Sequence, residues 1–263
     1  MINKIIILFK IARKIGSSDI IEIVDRSHKV PFFIKLFFNL VSLSFSKNQK
    51  KTGRTDDLSS TIQDLGTTFI KLGQFLATRP DIIGEELTKN LEKLQDKLPP
   101  FSKSLAENII KEELGELTSK NIIEFSDPIA AASIAQVHKA KINEGNTIKD
   151  VAIKVLRPNI KEIFNSEIDA IMMLAYLIEA LIPKTKRLKL IEVVFLFKEI
   201  TNHEMDLRFE AAAANEYSEN TKNDLGFNVP KIYWNFTSES VLTLDWVDGI
   251  SIRETEELKK RNI

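Results

Sequence analysis

The chain has 263 residues, a formal net charge of zero and no cysteine, with 43% hydrophobic and 28% charged residues. This composition is that of a globular protein and not a disordered one, and the lack of cysteine excludes disulfides and thiolate chemistry and fits a reducing compartment. The three histidines, His28, His138 and His203, share no metal-ligand spacing, so no zinc centre is expected.

The neutral total hides an asymmetry. Residues 1–54 hold 11 Lys/Arg against 3 Asp/Glu, whereas residues 55–263 hold 26 against 34. A basic tail on an acidic body points to a membrane or another polyanion as partner for the tail. Within it, Pro31–Phe45 (PFFIKLFFNLVSLSF) is strongly apolar, interrupted mainly by Lys35 and Asn39. A spanning helix needs about 20 apolar residues, and this run is shorter. Ile5–Phe9 is too short for a signal-peptide core, and no small-residue cleavage site follows it. The apolar run with basic flanks suits an interfacial helix on an anionic membrane and equally a helix docked on the body. The expected partner is a membrane surface or lipid and not nucleic acid, with the protein cytoplasmic and peripheral on the inner face of a membrane.

Ser46–Asp57 (SKNQKKTGRTDD) reads as a linker. From Leu58 to about Thr78, apolar residues at Ile62, Leu65, Phe69, Leu72 and Leu76 predict a helix. Pro80 breaks it, Ile83–Leu98 is a second helix, and Phe101–Gly115 a third, with Ser102 or Ser104 as cap and Gly115 as stop. Strands are predicted at Ile122–Phe125, Ile134–Ile142 and Val151–Leu156, the last two joined by a hairpin turn at Asn143–Asn146. Helices return at Ile160–Ile182 and Leu188–Asn220, and strands at Val229–Phe236 and Ser240–Val247, before a helical end. The fold class is therefore α+β with a small antiparallel sheet. Three parts are expected: a membrane-associating segment and linker (1–54), a helical extension (55–120), and a sheet-containing unit (121–263).

The chemistry-bearing residues begin with Lys154 in "VAIK". On a strand, Ala152 and Lys154 share one face while Val151, Ile153 and Val155 share the other. The apolar face would pack on helices. The other suits a nucleotide, with small Ala152 leaving room for a base and Lys154 reaching phosphates. A solvated lysine on a half-exposed strand is the plainer reading of VAIK alone. The upstream order, an alanine-rich loop, a hairpin and then the lysine strand, is that of a kinase amino-terminal lobe, in which the lysine needs an orienting carboxylate. Asn202–Tyr217 offers Glu204, Asp206 and Glu210. Asp206 and Glu210 are i,i+4 and share a helical face, while Glu204 points elsewhere in a regular helix. Either the helix is irregular there or the carboxylates serve different partners. Earlier, Lys71 and Gln74 lie one turn apart, with Gly73 between them at about 1 kcal/mol of helix propensity below alanine. That cost fits a close approach by another backbone.

Together these stretches resemble the UbiB-type atypical kinases, a protein-kinase-like family linked to ubiquinone biosynthesis, from about Leu58 to Val247. Lys71–Gln74 (KLGQ) is similar to the family's K-x-G-Q motif, Ala130–Ser133 to its alanine-rich loop, Lys154 to its nucleotide lysine, and Glu204-Met-Asp206 with Glu210 to its E-x-D motif and lysine-pairing glutamate. Leu242–Gly249 is similar to its last strand and interlobe hinge. The resemblance implies a kinase-like amino-terminal lobe that binds ATP or ADP with Mg. The nucleotide would meet the loop and strand Ile129, Ala130, Ala131, Ala132, Ser133, Ile134, Ala135, Gln136 and Val137. It would also meet Lys154 paired with Glu210, and the hinge at Asp245, Trp246 and Val247. Lys71 and Gln74 would meet Glu204 and Asp206 as a regulatory constellation. Alanine in place of glycine restricts the loop, and in the family this is understood to restrain phosphoryl transfer to proteins.

Phosphoryl transfer also needs a catalytic-loop aspartate and a metal-binding aspartate. DLG occurs at Asp64–Gly66 and Asp224–Gly226, before the lysine strand and before the hinge strand, both out of order. No catalytic-loop pattern follows Val247, where sixteen residues remain. On this reading the carboxy-terminal lobe, catalytic residues and metal ligands are missing. The chain would then be the amino-terminal product of an interrupted gene, one half of a two-chain kinase whose partner carries the missing lobe, or a non-catalytic scaffold among quinone-biosynthesis proteins. The first is the expected origin, and turnover by this chain alone is not expected.

Overall fold

The computed structural model describes residues 62–261 apart from 64, 93, 95–97 and 253. The expectations for residues 1–54 lie outside these described residues. In chain order the elements are α1 (Thr67–Ala77), α2 (Pro80–Ile83), α3 (Glu85–Leu91), α4 (Lys103–Ser119), β1 (Ile122–Ala131), β2 (Ala135–Glu144) and β3 (Thr147–Leu156). There follow α5 (Ile160–Leu181), a 3-10 segment (Pro183–Leu188), α6 (Leu190–Glu204), α7 (Leu207–Asn220), a second 3-10 turn (Trp234–Phe236), β4 (Val241–Asp245) and α8 (Thr255–Lys260). The architecture is α+β, as the sequence implies.

The described chain divides into two compact units. The first contains the residues up to Pro99, Ala131–Ile134 and Arg157–Met205, and is helical. Its long helices α5 and α6 bury one side each, through Phe164, Ile168 and Ala175 on α5 and Val194, Phe197 and Thr201 on α6. Phe197 ties them to α1, with ring centroids 5.5 Å from Phe164 and 5.5 Å from Phe75. Leu87, Leu91 and Leu94 form a second apolar cluster with Ile62, Leu76 and Ile83 packed on it. This cluster explains Gly73. A Cβ there would run into Leu94 Cδ1, the end of a flexible side chain, and lie 3.6 Å from Ile62 and Leu91, so side chains, not a backbone, crowd the glycine.

The second unit contains Pro100–Ala130, Ala135–Leu156 and the residues from Asp206 onward. Its sheet has the order β1-β2-β3-β4, with β2–β3 and β3–β4 antiparallel. The period-2 pattern of β3 works as expected. Val151, Ile153 and Val155 are fully buried and join Ala140, Ile142 and Val241, over which α4 lays Ala106 and Ile110. The β2–β3 turn is Gly145-Asn146, with Gly145 at φ 66, a left-handed conformation that glycine takes without a steric penalty. Ser102 caps α4, its hydroxyl accepting from the Leu105 amide.

Several boundaries differ from the sequence reading. Gly115 does not stop α4 but kinks it, at φ 79 and ψ 164, and the helix runs on to Ser119. The first strand extends to Ala131, so Ile129, Ala130 and Ala131 are strand and only Ala132–Ile134 turn. Pro128 is tolerated because β1 is an edge strand. Val229–Phe236 is not a strand. It makes one bridge, Ile232 to Leu244, and then coils into the 3-10 turn. The expected long helix Leu188–Asn220 is two helices, α6 and α7, parted at Met205-Asp206.

Candidate functional site

Register on the sheet places Val137 opposite Lys154, Lys139 opposite Ala152 and Lys141 opposite Asp150, with Leu242 and Leu244 opposite Lys154 and Ala152 on the other side. Residues directly opposite across a ladder share a face. One face of the sheet is therefore apolar and buried, while the other presents Lys154 beside small Ala152, flanked by Val137, Leu242 and Leu244. Lys154 Nζ donates to Glu210 Oε2 at 2.7 Å. The lysine side chain is 26% exposed and the glutamate 50%. Glu210 lies in the first turn of α7, where the helix dipole favours a carboxylate.

The break at Met205-Asp206 resolves the alternative left open above. Asp206 is not on a helical face with Glu210. It is the extended N-cap of α7, accepting from the Arg208 amide at 3.1 Å. The Arg208 guanidinium holds the same carboxylate from two sides, Nε to Oδ1 at 2.9 Å and Nη2 to Oδ2 at 2.7 Å. That hydrogen bonding raises the Arg208 pKa further above its already high ordinary value. Glu204, the last residue of α6, pairs with Lys71 of α1 at 2.8 Å. The Gln74 side chain is half-buried on α1 and makes no hydrogen bond to Glu204 or Asp206.

The alanine-rich stretch is held in place by a residue the sequence reading did not single out. Arg157 donates from Nε and Nη2 to the Ala132 carbonyl at 3.0 and 2.8 Å, and from Nη2 to the Pro99 carbonyl at 3.0 Å. Its amide donates to Ile134 O at 2.8 Å. The signal was an arginine three positions beyond the lysine, but its partners cannot be read from the sequence. Ile129 and Ala130 are exposed, Ala131 and Ala132 half-buried, and Ser133, Ile134, Ala135 and Gln136 buried. Gln136 turns into the core, away from Val137. Its Oε1 accepts from the Phe101 amide at 2.9 Å, and its Nε2 donates to Phe101 O and, at 2.9 Å, to His138 Nε2. His138 Nδ1 faces Ser126 O at 2.9 Å. Burial, partly opposed by that hydrogen bond, holds the imidazole below its ordinary pKa. The neutral tautomer with the proton on Nδ1 satisfies both contacts.

At the hinge, Asp245 accepts from Tyr233 Oη at 2.6 Å and from the Lys231 amide at 3.2 Å. Burial and then the Asp245 hydrogen bond push the Tyr233 phenol well above its usual range, so it remains a donor. The Asp245 amide donates to Lys231 O at 2.9 Å and the Trp246 amide to Asp150 O at 3.1 Å. Lys139 Nζ sits 4.6 Å over the Trp246 ring, and Val247 is exposed. A cavity of about 470 Å³ opens against β1–β3 near Ser126, Lys139, Lys141 and Asp150. Neither Lys154 nor Glu210 lines it, so it does not mark the lysine–glutamate pair.

A lysine on the third strand, oriented by a glutamate on a helix beside a small antiparallel sheet, is the arrangement of a protein-kinase-like amino-terminal lobe. Residues 93–263 match the ABC1 atypical kinase-like domain, and the chain belongs to that family, with the UbiB-type atypical kinases. It is 36% identical over 236 residues to a protein named "Probable protein kinase UbiB" from Marinobacter nauticus, covering 89% of this chain and 42% of that protein. A protein of the same name from Pseudomonas aeruginosa is 37% identical over 199 residues, covering 75% and 37%. An uncharacterised Synechocystis protein is 35% identical over 210 residues, covering 80% and 37%. The chain thus spans about two-fifths of the length of these curated relatives, 42% of the first of them.

Proposed function

We propose that this chain binds an adenine nucleotide on the lysine face of its sheet, as part of an ATP-dependent atypical kinase or ATPase that supports ubiquinone biosynthesis. The observation that carries the reading is the Lys154–Glu210 pair at 2.7 Å. Glutamate fixes a flexible four-carbon stem, so the ammonium is presented to phosphate oxygens without a search through rotamers. Ala152, Val137 and Leu244 give the base an apolar bed, and the Val247 backbone offers it a hydrogen-bonding edge. Among the described residues no group of three His, Asp or Glu side chains could hold a metal ion, so magnesium would arrive on the nucleotide. We assign Lys71, Gln74 and Glu204 to regulation, with the Lys71–Glu204 pair as its anchor, leave Asp206 as the cap of α7, and assign residues 1–54 to a membrane surface.

Thermal denaturation of the chain with and without Mg-ADP tests this. A ligand at 100 times its Kd stabilises the folded state by about 2.7 kcal/mol, which raises Tm by roughly 5–10 °C for a chain of this size. Lys154→Ala should remove the shift while keeping the fold. A folded wild-type chain that shows no shift with either Mg-ADP or Mg-ATP overturns the reading. The second reading, a non-catalytic membrane-associated scaffold, is favoured by the 11 Lys/Arg against 3 Asp/Glu in residues 1–54. It would then be the one to pursue.

A further inference from the structure

The helices α5 and α6 of the first unit form a hairpin whose tip is the 3-10 segment Pro183–Leu188. Each helix buries one side, and away from the tip each exposes a single large apolar residue, Ile163 on α5 and Ile200 on α6. Near the tip the outward residues are apolar. Tyr176, Leu177 and Leu181 on α5 and Phe195 and Leu196 on α6 are all exposed, Leu181 at 69%. At 3.6 residues per turn all five lie within about two turns of the connector. A single exposed leucine needs no account, but five large apolar side chains around one hairpin end form a patch.

The tip is also cationic. Lys184, Lys186, Arg187 and Lys189 are exposed. Both nearby carboxylates are committed, Glu192 to Lys189 at 2.9 Å and Glu179 to the Ile191 amide at 3.2 Å. Lys184, Lys186 and Arg187 have no acidic partner among the described residues. Three unpaired cations bordering an apolar, aromatic patch complement one kind of surface, negative headgroups above hydrocarbon. A nucleic acid would use the cations and leave the leucines in water. A protein segment would cover the leucines without needing the cations.

We propose that this hairpin tip docks on an anionic lipid bilayer. Lys184, Lys186 and Arg187 engage headgroup phosphates, and Leu177, Leu181, Tyr176 and Phe195 enter the headgroup–acyl boundary. The hairpin lies on the bilayer and does not cross it, since no described helix is long and apolar enough to span one. The proposal uses no residue of the nucleotide reading and none of residues 1–54.

The lack of cysteine allows a local test in the full chain. Leu181→Cys is labelled with an environment-sensitive fluorophore, and Leu225→Cys, exposed in the second unit, serves as control. On vesicles of phosphatidylglycerol and phosphatidylcholine the label at 181 should shift to the blue, with no shift on phosphatidylcholine alone and none at 225. Each cation removed near an anionic surface lowers partitioning about fivefold. Lys186→Glu with Arg187→Glu should therefore lower it by at least about 25-fold, and high salt should also weaken it. Three results overturn the proposal. The chain sediments with anionic vesicles while the label at 181 stays in water, which leaves residues 1–54 as the contact. The label is already shielded before vesicles are added, which means a second copy or another segment covers the tip. A short single-stranded RNA binds through Lys186 and Arg187 while vesicles give no response at 181.

Discussion

Gln136→Leu separates a core residue from a ligand residue. The resemblance places Gln136 among the nucleotide contacts, whereas the structure gives its amide three hydrogen bonds inside the second unit. Leucine removes all three. The Phe101 peptide is only partly buried, so water can replace its partner, and two lost bonds there cost about 1 kcal/mol together. His138 is 0% exposed, and its Nε2 would be left in the core without a donor, at about 1–3 kcal/mol. The buried leucine returns part of this, and the net expectation is a loss of about 2–3 kcal/mol. Urea denaturation at pH 7.5 should show it as a lower midpoint with an unchanged m-value. Adding His138→Phe removes the orphaned acceptor, so the double variant should be more stable than the two single losses predict, by at least about 1 kcal/mol. The Ser126 carbonyl loses its partner in both variants that lack His138, so that cost cancels in the cycle. A Gln136→Leu chain that loses less than about 0.5 kcal/mol, or an additive cycle, refutes the network. Loss of the Mg-ADP response with stability intact would return Gln136 to the ligand.

Two further outcomes follow from the same geometry. The folded state holds His138 below its ordinary pKa of 6.5, so the unfolded chain binds the proton first, and this contribution to stability is present above about pH 6.5 and lost as the pH falls below it. The urea midpoint should drop between pH 7 and 5, and less so in His138→Phe. Arg157→Ala removes three charge-assisted bonds to Ala132 and Pro99. It should cost about 1.5–3 kcal/mol and speed hydrogen exchange in residues 131–134. Lysine should restore only part, because one ammonium cannot reproduce the fork, and unchanged exchange in the alanine variant sinks the clamp.

What was legible in the sequence was what local pattern dictates. The alternation Val151, Ile153, Val155 against Ala152, Lys154 fixes both faces of β3 without knowledge of any neighbour. The residues alone offer Glu204, Asp206 and Glu210 as orienting carboxylates, and only the family resemblance singles out Glu210 as the partner of Lys154. The break between α6 and α7 was legible only as one of two alternatives for the Glu204–Glu210 carboxylates, since Leu188–Asn220 contains no glycine or proline and its periodicity runs through. Only the cap formed by Asp206 and the Arg208 amide marks it. Val229–Phe236 has a strand's aromatic and β-branched composition, but Pro230 has no amide to give a ladder and Trp234–Phe236 close on themselves. The role of Gln136 depends on Phe101, 35 positions away, a distance at which no spacing rule operates. The cost of Gly73 pointed to a close neighbour, but the neighbours are side chains of Leu94, Leu91 and Ile62 and not the backbone the sequence suggests.

The break also changes what the stretch from Glu204 to Glu210 does. On one continuous helix, Asp206 and Glu210 would stand together as a pair of carboxylates and Glu204 would point away. Parted at Met205-Asp206, the three acids answer three different cations. Glu204 closes α6 onto Lys71 of α1, Asp206 opens α7 with Arg208, and Glu210 meets Lys154 of β3. The chain passes from one compact unit to the other between Met205 and Asp206, so each acid is held by a cation of its own unit. A carboxylate fixed at 2.7–2.8 Å by an ammonium or guanidinium is positioned but not free, and none of the three is offered unpaired to a metal ion. The spacing therefore specifies anchoring. It secures the end of one helix and the start of the next to the elements that carry Lys71 and Lys154, which places the lysine-pairing glutamate one turn past a rigid cap.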